Sequence, residues 1–167
     1  MKFTLSVLLI FVMTSQLLAQ DACKCCTPDH QAFDFWLGSW TVTNPSGEIE
    51  GYSTIDKPNG NCLIRETYSN AQGEYVGTSN NFFHEQSKKW EQIWIYEDGR
   101  TLFLTGEKVG NQMILKSPEK KNAAGIIEQD VITWTDNADG TVRQLWIHTF
   151  DGENAQVRFD GIYKKKE

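Results

Sequence analysis

Beyond Gly38 the chain alternates short aromatic or β-branched runs with clusters of turn-forming residues, and the clusters recur about every ten to fourteen residues. That rhythm predicts an antiparallel meander of hairpins. The turns read Asn44-Pro45-Ser46-Gly47, Lys57-Pro58-Asn59-Gly60, Asn70-Ala71-Gln72-Gly73, Glu85-Gln86-Ser87, Asp98-Gly99, Gly110-Asn111, Ser117 through Gly125, Asn137-Ala138-Asp139-Gly140 and Asp151-Gly152-Glu153-Asn154. Their Asn-Gly, Asp-Gly and Gly-Asn pairs supply the positive φ angles that tight hairpins require. Nine turns separate ten strands. Only Pro28 to Leu37 and Lys120 to Ala124 have a pattern that allows helix.

The stretch Phe33-Asp34-Phe35-Trp36-Leu37-Gly38-Ser39-Trp40-Thr41-Val42 changes period in its middle. Phe33, Trp36 and Leu37 fall at helical spacing, whereas Trp40 and Val42 fall at strand spacing, and the switch comes at Gly38. This reads as an aromatic plug followed by the first strand, with Trp36 and Trp40 closing one end of a barrel. An all-β fold follows, a ten-stranded antiparallel up-and-down barrel with a short N-terminal helix, since closure removes the sheet edges that invite aggregation. An open two-sheet sandwich is the alternative.

Side chains one residue apart on a strand point to opposite faces. With the tryptophans placed inside, Trp90, Gln92 and Trp94 share the inner face of the fifth strand. The same rule turns inward Cys62, Ile64, Glu66 and Tyr68; Gly77, Ser79, Asn81 and Phe83; Val142, Gln144, Trp146 and His148; and Phe159, Gly161 and Tyr163. The interior is therefore mixed, its rings interleaved with Glu66, Ser79, Asn81, Gln92, Gln144 and His148. Each of these polar groups left unpaired in a dry core costs about 1–3 kcal/mol, so the set implies a mutual network, trapped water or a ligand. The reading that follows is a small, partly apolar ligand held by Glu66, Tyr68, Ser79, Asn81, Gln92, Trp94, Gln144, Trp146, His148 and Tyr163. The enzymatic alternative is an isomerase, lyase or hydrolase in which Glu66 and His148 meet across the lumen as acid and base. No nucleophile elbow, zinc-protease helix, phosphate loop or dinucleotide fingerprint is present.

Residues 1–20 carry one lysine, an apolar run from Phe3 to Met13 and a small-residue exit at Leu17-Leu18-Ala19-Gln20, the layout of a secretory signal peptide. The mature protein is then expected in the periplasm or outside the cell, with no membrane insertion, as a cysteine-containing segment over 21–32 and one barrel domain over 33–167. Without Lys2, fifteen basic residues face twenty-two acidic ones, a net charge of −7 that argues against nucleic acid or anionic lipid as a partner. Oligomeric state is not legible.

Four cysteines in an exported chain predict disulfides. A bridge from Cys26, or from its neighbour Cys25, to Cys62 would strap the N-terminal segment to the barrel wall and add about 3–4 kcal/mol in the chain-entropy model. Cys26 to Cys62 is the pairing taken forward; the remaining two close a short loop, stay free or bridge a second chain. Cys23, Cys25, Cys26 and His30 also form a set of soft ligands, but their spacing lacks the paired two-residue gaps of structural zinc sites, so no metal is assigned.

These motifs, from Cys25-Cys26 and Phe33 through Val42 to Cys62-x-Ile64-x-Glu66, Gly77-x-Ser79, Trp90-x-Gln92-x-Trp94, Val142-Arg143-Gln144-x-Trp146 and Phe159-Asp160-Gly161-x-Tyr163, resemble a group of exported bacterial proteins of unknown function. That group is similar to the calycin superfamily, which implies a lipocalin-like barrel and no particular ligand. A more distant resemblance is to nitrobindin, a haem-binding barrel, through Gly38-x-Trp40. The following residues depart from its later glycines, the last strand, Gln156 to Lys164, has no histidine, and His148 lies one strand too early, so no cofactor is assigned.

Overall fold

The computed structural model describes residues 23–152 and 154–166, so the expected signal peptide at residues 1–20 lies outside the described residues. A helical turn, α1 (Pro28–Gln31), and a 3-10 turn (Asp34–Trp36) lead into eleven strands. These are β1 (Gly38–Thr43), β2 (Ile49–Asp56), β3 (Ile64–Asn70), β4 (Tyr75–His84), β5 (Lys89–Tyr96), β6 (Thr101–Val109), β7 (Gln112–Lys116), β8 (Lys120–Lys121), β9 (Ile127–Asp136), β10 (Val142–Phe150) and β11 (Asn154–Lys165). Every pairing is antiparallel; β11 returns to β1, and β9 pairs with both β7 and β10, so ten strands close into an up-and-down barrel. The two-residue β8 lies against Ile127 and Glu128, outside the ring. Lys120 to Ala124 is therefore not helix. Asn122 is the reason: its Oδ1 accepts from the N–H groups of Ala124 and Ile126 and holds a turn instead.

The same device shapes two other hairpins at this end of the barrel. Asn44 Oδ1 accepts from the N–H groups of Ser46 and Glu48, and Asn70 Oδ1 from those of Gln72 and Glu74. Gly47 and Gly73 follow with φ of +91° and +82°, a region that side chains resist. These loops mark the mouth, because the plug fills the opposite end.

In the plug Phe33, Trp36 and Trp40 are fully buried, and the Phe33 ring stacks on Trp36 with centroids 5.0 Å apart. Its edge contacts reach Trp90 on β5 at 5.6 Å and Trp134 on β9 at 5.2 Å, two strands of the wall separated by β6 and β7. Polar bonds fix the angle of entry: Trp40 Nε1 donates to Trp36 O at 2.9 Å and Trp90 Nε1 to Asp29 O at 3.2 Å. Lys57, mostly buried, donates to both His30 O and Asp34 Oδ1, tying the segment to the loop after β2.

The bridge to Cys62 comes from Cys25 and not from Cys26, which closes a short loop with Cys23. Consecutive side chains cannot both face one target, and here Cys25 is the one whose Cα lies 5.0 Å from that of Cys62. Cys62 itself sits in the loop before β3, not on the inner face. With all four sulfurs paired, none is left as a metal ligand, and His30 is instead packed under the barrel with its Nδ1 2.7 Å from Thr27 Oγ1. Among the described residues no helix is long and apolar enough to cross a membrane.

Candidate functional site

Strand alternation sorts the barrel interior into levels, counted from the plug to the mouth. Next to the plug the inner positions are apolar: Ile64, Trp90, Met113, Trp134 and Val142, all buried. One step up lies a belt of polar groups. Glu66, only 3 % exposed, accepts from Ser53 Oγ at 2.7 Å, Tyr163 Oη at 3.2 Å and Ser79 Oγ at 3.5 Å. Asn81 donates to Ser79 Oγ at 2.9 Å and to Ile64 O at 3.0 Å, while Gln92 Nε2 donates to Asn81 Oδ1 at 2.5 Å. Tyr163 Oη also lies 2.6 Å from Gln144 Oε1. Seven side chains from six strands thus form one continuous network.

Above the belt comes a collar of rings, and around it opens a cavity of about 170 Å³. Tyr68, Trp94, Tyr96, Trp146 and Phe159 supply its aromatic wall; Val76, Leu102 and Ile132 the aliphatic one. Glu66, Gln92, Gln144, Tyr163 and Trp134 form its floor, and Arg158 lines it at the mouth. Glycines give the rings their room. A Cβ on Gly77 would lie 2.5 Å from Ile95 O and 2.6 Å from the Trp94 ring. Gly77→Ala is expected to cost about 1–3 kcal/mol and to push Trp94 into the cavity, measured as a lower urea midpoint and altered near-ultraviolet circular dichroism. An unchanged midpoint would mean that the wall yields elsewhere.

Burial acts on the titratable groups of the belt. Taking Glu66 out of water pushes its carboxyl up to about 7, against the three hydroxyls that favour the anion. Tyr163 is held well above the usual phenol range, first by burial and then by the Glu66 charge. Tyr68, half-buried, is pushed up to about 12 by burial, with Glu50 and Glu66 adding to it. Among the side chains that line the cavity, Trp134 has a fully buried indole N–H with no hydrogen-bond partner.

Of the ten side chains expected to hold a ligand, Glu66, Tyr68, Gln92, Trp94, Gln144, Trp146 and Tyr163 line the cavity. Ser79 and Asn81 share the inner face but are fully buried in the wall behind it, where they hold Glu66 and Gln92. His148 also faces inward, four residues beyond Gln144 and so about 13 Å further toward the mouth. There its Nδ1 lies 3.0 Å from Asp130 Oδ1 and its Nε2 3.7 Å from Glu128, in a separate groove by the rim. Glu66 and His148 share no partner, so the expected acid and base pair is not assembled. The residues do not fit a haem held through histidine either, since no histidine lines the cavity and both nitrogens of His148, in the groove beside it, face carboxylates.

Trp134, Ile132 and Leu102 were legible as inward residues from the alternation of their strands. Arg158 was not. Plain alternation with Phe159, Gly161 and Tyr163 inside sends Arg158 out, but Trp146 pairs with Phe159 and Ile147 with Val157, leaving Arg158 as the extra residue of a β-bulge.

Comparison with known proteins adds no identity: no protein-family model matches the chain, and no curated protein matches it significantly.

Proposed function

We propose that this protein is an exported, lipocalin-like barrel that takes one small, partly apolar molecule through the mouth opposite the plug. The observation that carries this reading is the cavity of about 170 Å³ with rings around its waist and polar groups at its floor. A cavity of about 150 Å³ is enough for benzene, so the ligand presents a ring-sized body to the collar. Gln92 and Gln144 at the floor can answer a neutral hydrogen-bonding group where the ligand's inner end carries one. The resemblance to calycin-type exported proteins and the two disulfides support the compartment and the class.

Three tryptophans in the cavity wall, Trp94, Trp134 and Trp146, make intrinsic fluorescence the assay. Titration with monocyclic aromatic compounds is expected to quench it saturably, and Val76→Phe, which fills the entrance, is expected to weaken the same compounds about tenfold or more. A panel of such compounds with no saturable response, and no small molecule released on denaturing protein from its native host, would overturn the reading.

The enzymatic alternative keeps one favourable observation, a cavity-lining carboxyl poised near neutrality at Glu66. It ranks second because Glu66 is fully engaged by Ser53, Ser79 and Tyr163, and the histidine that would complete the pair is elsewhere.

A further inference from the structure

The protein has four arginines, and three of them have an obvious occupation. Arg65, Arg100 and Arg143 each pair with an aspartate, Asp56, Asp98 and Asp160 respectively, on the outside of the barrel. Arg158 forms no ion pair among the described residues, and it is the one arginine that lines the cavity. The bulge in β11 explains how it gets there. Two consecutive residues, Arg158 and Phe159, oppose the single residue Trp146, so both side chains fall on the inner side of the sheet. The bulge thus adds a cation to the mouth of an otherwise uncharged collar.

Resting on the binding reading above, we infer that Arg158 is the recognition residue for a carboxylate, and that the ligand is a small acid with a ring-sized apolar body inside and its anionic head outward. Guanidinium is suited to that head because its planar fork meets a carboxylate with two parallel hydrogen bonds. Two acids of the rim, Asp130 and Glu128, are already engaged outside the cavity. Asp130 already receives Trp146 Nε1 at 2.8 Å and faces His148, and Glu128 accepts from Asn122 Nδ2 at 2.7 Å; both line the neighbouring groove and not the cavity. The apolar body then lies against Trp94, Trp146 and Phe159, with Arg158 closing over the head.

The test compares 4-phenylbutyrate with its uncharged counterpart 4-phenylbutan-1-ol, titrated into the wild-type protein and into Arg158→Gln and Arg158→Lys. The wild type is expected to bind the acid about tenfold more tightly than the alcohol, and that preference should fall with added salt. Arg158→Gln should lose about tenfold for the acid and change less than twofold for the alcohol, with Arg158→Lys between. Because Arg158 is exposed, all three proteins should share one unfolding midpoint. Equal affinity for the two compounds in the wild type, or a preference that survives Arg158→Gln, overturns this inference while leaving the cavity reading intact. Failure of both compounds to bind the wild type overturns the inference and the reading together.

Discussion

Phe33→Ala is expected to destabilise the barrel by about 3–5 kcal/mol, read as a lower urea midpoint at an unchanged slope. Phe33 is fully buried and touches Trp36, Trp90 and Trp134, so its ring joins the N-terminal segment to both β5 and β9. Deleting it leaves a hole that these large, rigid rings cannot refill, and the cavity term adds to the lost burial. A loss of that size is about a fifth or more of a typical domain stability. Phe33→Leu keeps most of the volume and should cost less than about 2 kcal/mol. The Cys25 to Cys62 bridge holds the segment nearby in both variants, so the difference reports packing and not detachment. A cost under about 1 kcal/mol for Phe33→Ala would show that the plug is an accessory and that the barrel closes without it.

How far the sequence carried depended on regularity. Turn residues at even spacing located all ten barrel strands, and alternation put Glu66, Gln92, Trp94, Gln144 and Trp146 on the correct face because β3, β5 and β10 are themselves unbroken. Alternation gives the face of a residue and not its height. His148 shows the difference: it points inward as expected, yet two inner positions beyond Gln144 it meets Asp130 and Glu128 and never approaches Glu66. Height along the axis depends on strand tilt and pairing register, which involve partners distant in sequence. Arg158 was hidden for a related reason, since a bulge shifts the parity of every residue before it and leaves no local trace in the sequence. The disulfide choice between Cys25 and Cys26 was equally nonlocal, fixed by which neighbour faces the loop before β3.

Glu66→Gln is expected to make the protein more stable in mild alkali and to remove a pH dependence that the wild type carries between about pH 5 and pH 8. The folded carboxyl titrates near 7, raised from its ordinary 4.5 by complete burial. Between those two values the folded protein holds a proton that the unfolded chain has released, so wild-type stability falls as pH rises, and the loss is complete once pH exceeds the folded value. A shift of this size amounts to about 3 kcal/mol. Ser53, Tyr163 and Ser79 favour the anion and burial outweighs them, while the network still has a place for the added proton. With Glu66 protonated, the acid can donate to Tyr163, and Tyr163 can pass its single hydroxyl proton to Gln144 Oε1 at 2.6 Å. With Glu66 ionised, Tyr163 must turn its proton to the carboxylate at 3.2 Å, and the Gln144 amide has to turn over so that its NH₂ faces the phenol. Glutamine at position 66 keeps the neutral state at every pH. The difference in unfolding free energy between the variant and the wild type should therefore climb by about 3 kcal/mol from pH 5 to pH 8, in the variant's favour, and the carboxyl carbon of Glu66 should titrate near neutrality by NMR. A flat difference across that range, or one that moves the other way, would mean that Ser53, Ser79 and Tyr163 hold the anion more strongly than burial opposes it, and the floor of the cavity would then be charged whenever a ligand enters.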